Sequence, residues 1–142
     1  MRLRNLLPAV APGAAVLAAL VLIGPGVGPG PGAKPPASCA VAYRVTDEWS
    51  GGFESAVTVI NTGAASINGW SLIWTFPNGQ TALRVWDGVA TSQGSTVTVR
   101  STPDNAPLPP AATAVFGFTG AAGSRNSAPD QFTLNGVHCS LA

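Results

Sequence analysis

The chain predicts an all-β domain, an antiparallel two-sheet β-sandwich of jelly-roll or immunoglobulin-like kind, and three observations carry that expectation. Runs with period-2 alternation or β-branched residues recur at short intervals from residue 39 onward. Gly, Asn, Asp and Pro clusters separate them, and nothing between them has helical spacing over a useful length. Seven or more short strands joined by regular turns suit a sandwich.

The strands are expected at 40–46, 53–60, 70–76, 81–86, 95–100, 113–118 and 131–134. Turn signals fall between them at Asn61-Thr62-Gly63, Asn68-Gly69, Pro77-Asn78-Gly79, Asp87-Gly88 and Asn135-Gly136. In 70–76, Trp70, Leu72, Trp74 and Phe76 mark every second residue, so one face of that strand holds four large apolar side chains and is core. Segment 101–112, with four prolines and Asp104-Asn105, is the longest irregular stretch and is expected to be a surface loop.

The other two tryptophans have different neighbours. Trp49 lies in Asp47-Glu48-Trp49-Ser50-Gly51-Gly52 and Trp86 in Arg84-Val85-Trp86-Asp87-Gly88. Polar residues and glycine surround an aromatic that is left in water, and Gly51 and Gly52 clear space beside the Trp49 ring. A half-buried indole closing the end of the sandwich is the plainer alternative for each. Two exposed indoles on a rigid β scaffold form a surface that stacks on flat, partly apolar rings.

Ahead of the domain, Arg2 and Arg4 precede an uncharged run from Leu6 to Ile23, then a tract alternating Gly and Pro. That order reads as a signal peptide over 1–23 and a semi-rigid linker over 24–38, leaving a binding domain at 39–142. Pro8, Pro12 and Gly13 weaken the apolar run as a membrane helix. Export is therefore the expected route. The alternative is an uncleaved segment anchoring the domain to the outer face of the cell membrane, the one way in which a membrane becomes a partner.

Within 39–142, Arg44, Arg84, Arg100 and Arg125 stand against Asp47, Glu48, Glu54, Asp87, Asp104 and Asp130. So few charges of mixed sign give no electrostatic footprint for nucleic acid, and a neutral partner is expected. Cys39 and Cys139 lie at the two ends of the domain and read most simply as a disulfide between the first and last strands. Lipidation of Cys39 is the competing reading. It lacks the usual apolar residue three places earlier and would leave Cys139 unpaired.

The supply of catalytic groups is poor. His138 is the only histidine and adjoins Cys139, and no His, Cys and carboxylate set has metal-ligand spacing. Asp47 and Glu48 are adjacent, so in a strand they point to opposite faces and cannot flank one glycosidic bond. No catalytic residue, metal or cofactor is expected.

Several stretches, taken in order, resemble one family. They are Cys39-Ala40-Val41, Trp49-Ser50-Gly51-Gly52-Phe53, Val57-Thr58-Val59-Ile60-Asn61-Thr62-Gly63 and Gly69-Trp70-Ser71-Leu72. Phe76-Pro77-Asn78-Gly79-Gln80, Trp86, Val97-Thr98-Val99, Phe116-Gly117-Phe118 and Phe132-Thr133-Leu134-Asn135-Gly136 follow before Cys139. This resembles the bacterial cellulose-binding carbohydrate-binding module family 2 over the whole stretch between the two cysteines.

The resemblance implies a flat face on which three coplanar tryptophans stack on the sugar rings of crystalline cellulose. The first two correspond to Trp49 and Trp86. The third falls in Thr102-Pro103-Asp104-Asn105, where the family usually has Trp-Asn and this chain has Asp104 followed by Asn105. Xylan-binding relatives carry an arginine three residues after the first tryptophan and lack this loop. Here that place is Gly52 and the loop is kept, which favours the cellulose-type face. Further polar positions of the family correspond to Asp47, Arg84 and Thr119, where Asn or Gln is more usual, while Ala56 and Val115 replace polar neighbours.

The resemblance thus implies a secreted, monomeric, non-catalytic module for an insoluble polysaccharide, cellulose first and chitin or xylan next. Such modules usually accompany a glycoside hydrolase. The rival expectation is a cell-envelope interaction domain whose sugar binding has decayed, motivated by Asp104.

Overall fold

The computed structural model describes residues 37–142. The expected signal and most of the expected linker lie outside the described residues. At the linker's end, Ala37 and Ser38 are fastened to the domain, because the Thr62 hydroxyl and amide donate to their carbonyls, each at 3.1 Å.

Two five-stranded sheets form the sandwich. The first contains β1 (Cys39–Trp49), β2 (Gly52–Asn61), β5 (Thr81–Trp86), β9 (Thr113–Ala121) and β12 (Ser140–Leu141), in the order β12-β1-β2-β9-β5. The second contains β4 (Ser71–Thr75), β6 (Val89–Gln93), β7 (Thr96–Arg100), β10 (Thr133–Leu134) and β11 (Val137–His138), in the order β11-β10-β4-β7-β6. A short pair, β3 (Ile67–Asn68) with β8 (Pro107–Leu108), stands apart from both. The expected sandwich and the Cys39–Cys139 disulfide are both present. Closing a loop of 100 residues is worth about 4–5 kcal/mol in the chain-entropy treatment.

The core forms where the period-2 residues of both sheets meet. Val41, Phe53, Val57, Val59, Phe116 and Phe118 come from the first sheet, and Leu72, Trp74, Val97 and Val99 from the second. Trp70 and Trp74 are each 2% exposed, as the alternation requires. Trp74 meets Phe76 edge-on at 5.7 Å and stacks on Phe116 at 6.2 Å. Burial beside Phe118 and Phe132 pushes the Tyr43 hydroxyl above its ordinary pKa, so it stays neutral.

Three expectations need correction. The sandwich is not wholly antiparallel, since β12 pairs parallel with β1 through Ala40–Ser140 and Val41–Leu141. The polar run Val89–Gln93, left out of the expected strands, is an edge strand in which only Ala90 is partly buried. Segment 101–112 is not merely a surface loop. Leu108 is 1% exposed within the core, and the buried Asn61 side chain donates to its carbonyl at 2.8 Å.

Candidate functional site

Each exposed tryptophan is turned outward by a β-bulge. Along β1, Val41, Tyr43 and Val45 point inward, and simple alternation would send Trp49 after them. The pairing instead passes from Val45–Ser55 to Asp47–Glu54, leaving Thr46 as the extra residue. One inserted residue exchanges the two faces for everything beyond it, so Asp47 and Trp49 emerge on the outer surface. On β5 the pairing passes from Ala82–Gly120 to Arg84–Thr119 with Leu83 extra, and Arg84 and Trp86 emerge in the same way. Both rings thus reach the outer face of one sheet.

Glycines seat them there. A Cβ on Gly52 would lie 2.5 Å from Trp49 Nε1, and a Cβ on Gly117 would lie 2.5 Å from Trp86 Cε2, Cζ2 and Nε1. The indoles therefore lie against bare backbone on the neighbouring strands β2 and β9, with Trp49 50% and Trp86 39% exposed. Gly52 pairs with Ala121 and Ala56 with Gly117, so the seats are one strand apart and four residues apart along β9, roughly 13 Å of strand.

Between the seats runs a cross-sheet row, Asp47–Glu54–Thr119–Arg84. Three residues expected to serve the site, Asp47, Arg84 and Thr119, are brought together in it. Glu54, the fourth, was not foreseen, and neither was Gly117 as a seat. Ala56 lies in the next row with Trp86, and Val115 in the one after it, exposed. Glu54 accepts a hydrogen bond from the Thr46 hydroxyl at 3.2 Å, and the Asp47 carboxylate accepts one from the Glu48 amide at 2.9 Å.

The Asp104 loop is built by its neighbour. Asn105 Oδ1 accepts from the Thr102 amide at 2.8 Å, and its Nδ2 donates to the Asp87 carbonyl at 2.8 Å. Its own carbonyl receives the Trp70 indole N–H at 3.0 Å. Asn105 is thereby committed to holding the loop beside the turn that follows Trp86, and it leaves Asp104 exposed. Asp87 sustains that turn at φ 61°, a left-handed conformation that Asp tolerates better than most residues.

Two shallow depressions border the rings. One, of about 280 Å³, is lined by Trp49 with Gly52, Glu48 and Asn126. The other, of about 300 Å³, is lined by Trp86 with Gly117, Glu54 and Asp87. Among the described residues no group of three or more His, Cys, Asp or Glu could hold a metal ion. The arrangement suits stacking and hydrogen bonding to an extended ligand lying on a surface.

Residues 39–139 match the family described as cellulose binding domain. Endoglucanase A of Thermobispora bispora is 43% identical over 89 residues, which are 61% of this chain and 20% of that enzyme. The chain therefore spans only a small part of that relative. The solution structure of the cellulose-binding family 2 carbohydrate binding domain of ScLPMO10C is 34% identical with a TM-score of 0.56, covering 75% of this chain and 98% of that one. The chitin-binding domain of Chi18aC from Streptomyces coelicolor is 33% identical with a TM-score of 0.58, covering 72% and 94%. With a family match from one half-cystine to the other and the sandwich beneath it, the chain belongs to the cellulose binding domain family, carbohydrate-binding module family 2.

Proposed function

We propose that residues 39–142 adsorb to cellulose without catalysing a reaction, stacking sugar rings on Trp49 and Trp86. The observation that supports this best is the paired construction of bulge and glycine seat. Twice on one face, an indole is turned into water and laid against bare backbone. In this reading Asp47, Arg84 and Thr119 contact sugar hydroxyls between the two rings, Asn105 positions the loop, and Asp104 occupies the place of a third platform. Family membership supports an exported module, tethering a polysaccharide-degrading activity to its solid substrate by effective concentration.

The affinity is reduced relative to three-tryptophan relatives. One indole face covering roughly 60 Å² of sugar contributes about 1.5 kcal/mol, so losing one of three weakens binding about tenfold. Asp104 adds a desolvation penalty wherever its carboxylate finds no hydroxyl donor.

The test is depletion of the purified, oxidised protein by microcrystalline cellulose, amorphous cellulose, chitin and insoluble xylan, beside a Trp49→Ala/Trp86→Ala variant. Retention on cellulose that vanishes in the variant is the expected result. A folded protein retained by none of the four solids would favour the cell-envelope interaction reading, which the Asp104 replacement motivates.

A further inference from the structure

We propose that the two tryptophan platforms are selective for polymers of protonated 2-amino sugars, such as partly deacetylated chitin, over neutral glucans. This inference rests on the stacking role just proposed for Trp49 and Trp86.

Each ring shares its depression with a carboxylate. Glu48 borders the Trp49 depression, and Glu54 and Asp87 border that of Trp86. The carboxylates are held in place. Asn126 Nδ2 donates to Glu48 Oε2 at 2.9 Å, and Asn126 is itself held by the fully buried Gln80, whose Nε2 donates to Asn126 Oδ1 at 3.1 Å. Glu54 is gripped by Thr46, the residue extruded by the bulge that exposes Trp49. Asp47 stands directly opposite Glu54, and exposed Asp104 follows beyond Asp87. Of the domain's six carboxylates, Asp47 and Glu54 thus stand on this face and Asp87 and Asp104 beside it, against Arg44 and Arg84. Glu48, which pairs with the inward-facing Phe53, reaches only the rim of the Trp49 depression.

A neutral sugar stacked on either indole meets carboxylates that it satisfies only through hydroxyl hydrogen bonds. An amino sugar supplies an ammonium group that ion-pairs with the carboxylate while the ring it belongs to lies on the indole. Cation–π attraction between ammonium and indole adds to the pair. The recurrence of this pairing at both platforms suits a repeating polymer. Each exposed ion pair is individually weak and screened by salt, so the selectivity comes from repetition along the chain.

The experiment measures retention of the full chain on beads of deacetylated chitin, on the same beads re-acetylated, and on microcrystalline cellulose, at low and high salt. Glu48→Gln and Glu54→Gln are tested singly and together. The expected result is retention about fivefold tighter on the deacetylated than on the re-acetylated beads at low salt. That ratio collapses toward one at high salt and falls in the double variant, which keeps Asp47 and Asp87 but loses Glu48 and Glu54. Because it is read on one protein sample, it is insensitive to a loss of folded fraction. Equal retention on both bead types, or a preference undiminished in the double variant, overturns the proposal. If cellulose retention persists and depends on the tryptophans, only the selectivity fails. If Trp49→Ala/Trp86→Ala changes retention on no solid, the platform reading itself fails.

Discussion

Trp70 and Trp74 on one side, Trp49 and Trp86 on the other, are the same side chain put to opposite uses, and the backbone decides which. The first pair follows uninterrupted alternation into the core, where stacking and edge contacts with Phe76, Phe116 and Phe118 fill the space between the sheets. The second pair would have followed alternation inward too, but Thr46 and Leu83 each insert a residue ahead of them. Exposure here is a property of register, not of the tryptophan or of its polar neighbours.

The contrast is sharpest in what each ring supports. Trp74→Ala should remove about 3–5 kcal/mol of stability, because a large buried aromatic leaves a cavity the sheets cannot close. Denaturant unfolding reads it directly, and a loss below about 1 kcal/mol would break the distinction between the pairs. Trp49→Ala or Trp86→Ala should each weaken adsorption to cellulose about tenfold while the unfolding midpoint barely moves. A large stability loss in either would return that ring to the core.

Asp104→Trp should strengthen adsorption by up to about tenfold, adding a third ring to the two already present. A null result would mean that the Asn105-held loop does not present that position to the ligand. Gly117→Ala gives the smallest effect expected. The added methyl group must push the Trp86 ring off its seat, so adsorption to cellulose should fall severalfold, but less than in Trp86→Ala. Unchanged adsorption would show that the ring needs no bare backbone beneath it.

Much of this was legible before any coordinates. Period 2 placed Trp70, Leu72, Trp74 and Phe76 in the core, and Asn135-Gly136 marked a two-residue hairpin, its residues at φ 49° and 82°, between β10 and β11. The strand Val89–Gln93 was hidden because an edge strand with only Ala90 partly buried carries little hydrophobic pattern. Leu108 was hidden among prolines that signal a loop, although a single apolar side chain suffices to pin such a segment. The bulges leave no mark in composition. The glycines beside Trp49 hinted at its seat, whereas Gly117 sits thirty-one positions from the ring it supports, beyond the reach of local spacing.

The disulfide also has a mechanical consequence. Cys39 and Cys139 bring the two ends of the domain to Cα atoms 4.7 Å apart, and β12 lies parallel to the start of β1 at that same edge. Tension applied between a chain entering before Cys39 and one leaving after Cys139 passes through the covalent S–S bond and bypasses the strands between. Trp49 lies at the far end of β1, ten residues and roughly 33 Å from that clamp. A pull between the two tails is thus borne at the pole opposite Trp49 and leaves the far end of β1 unloaded.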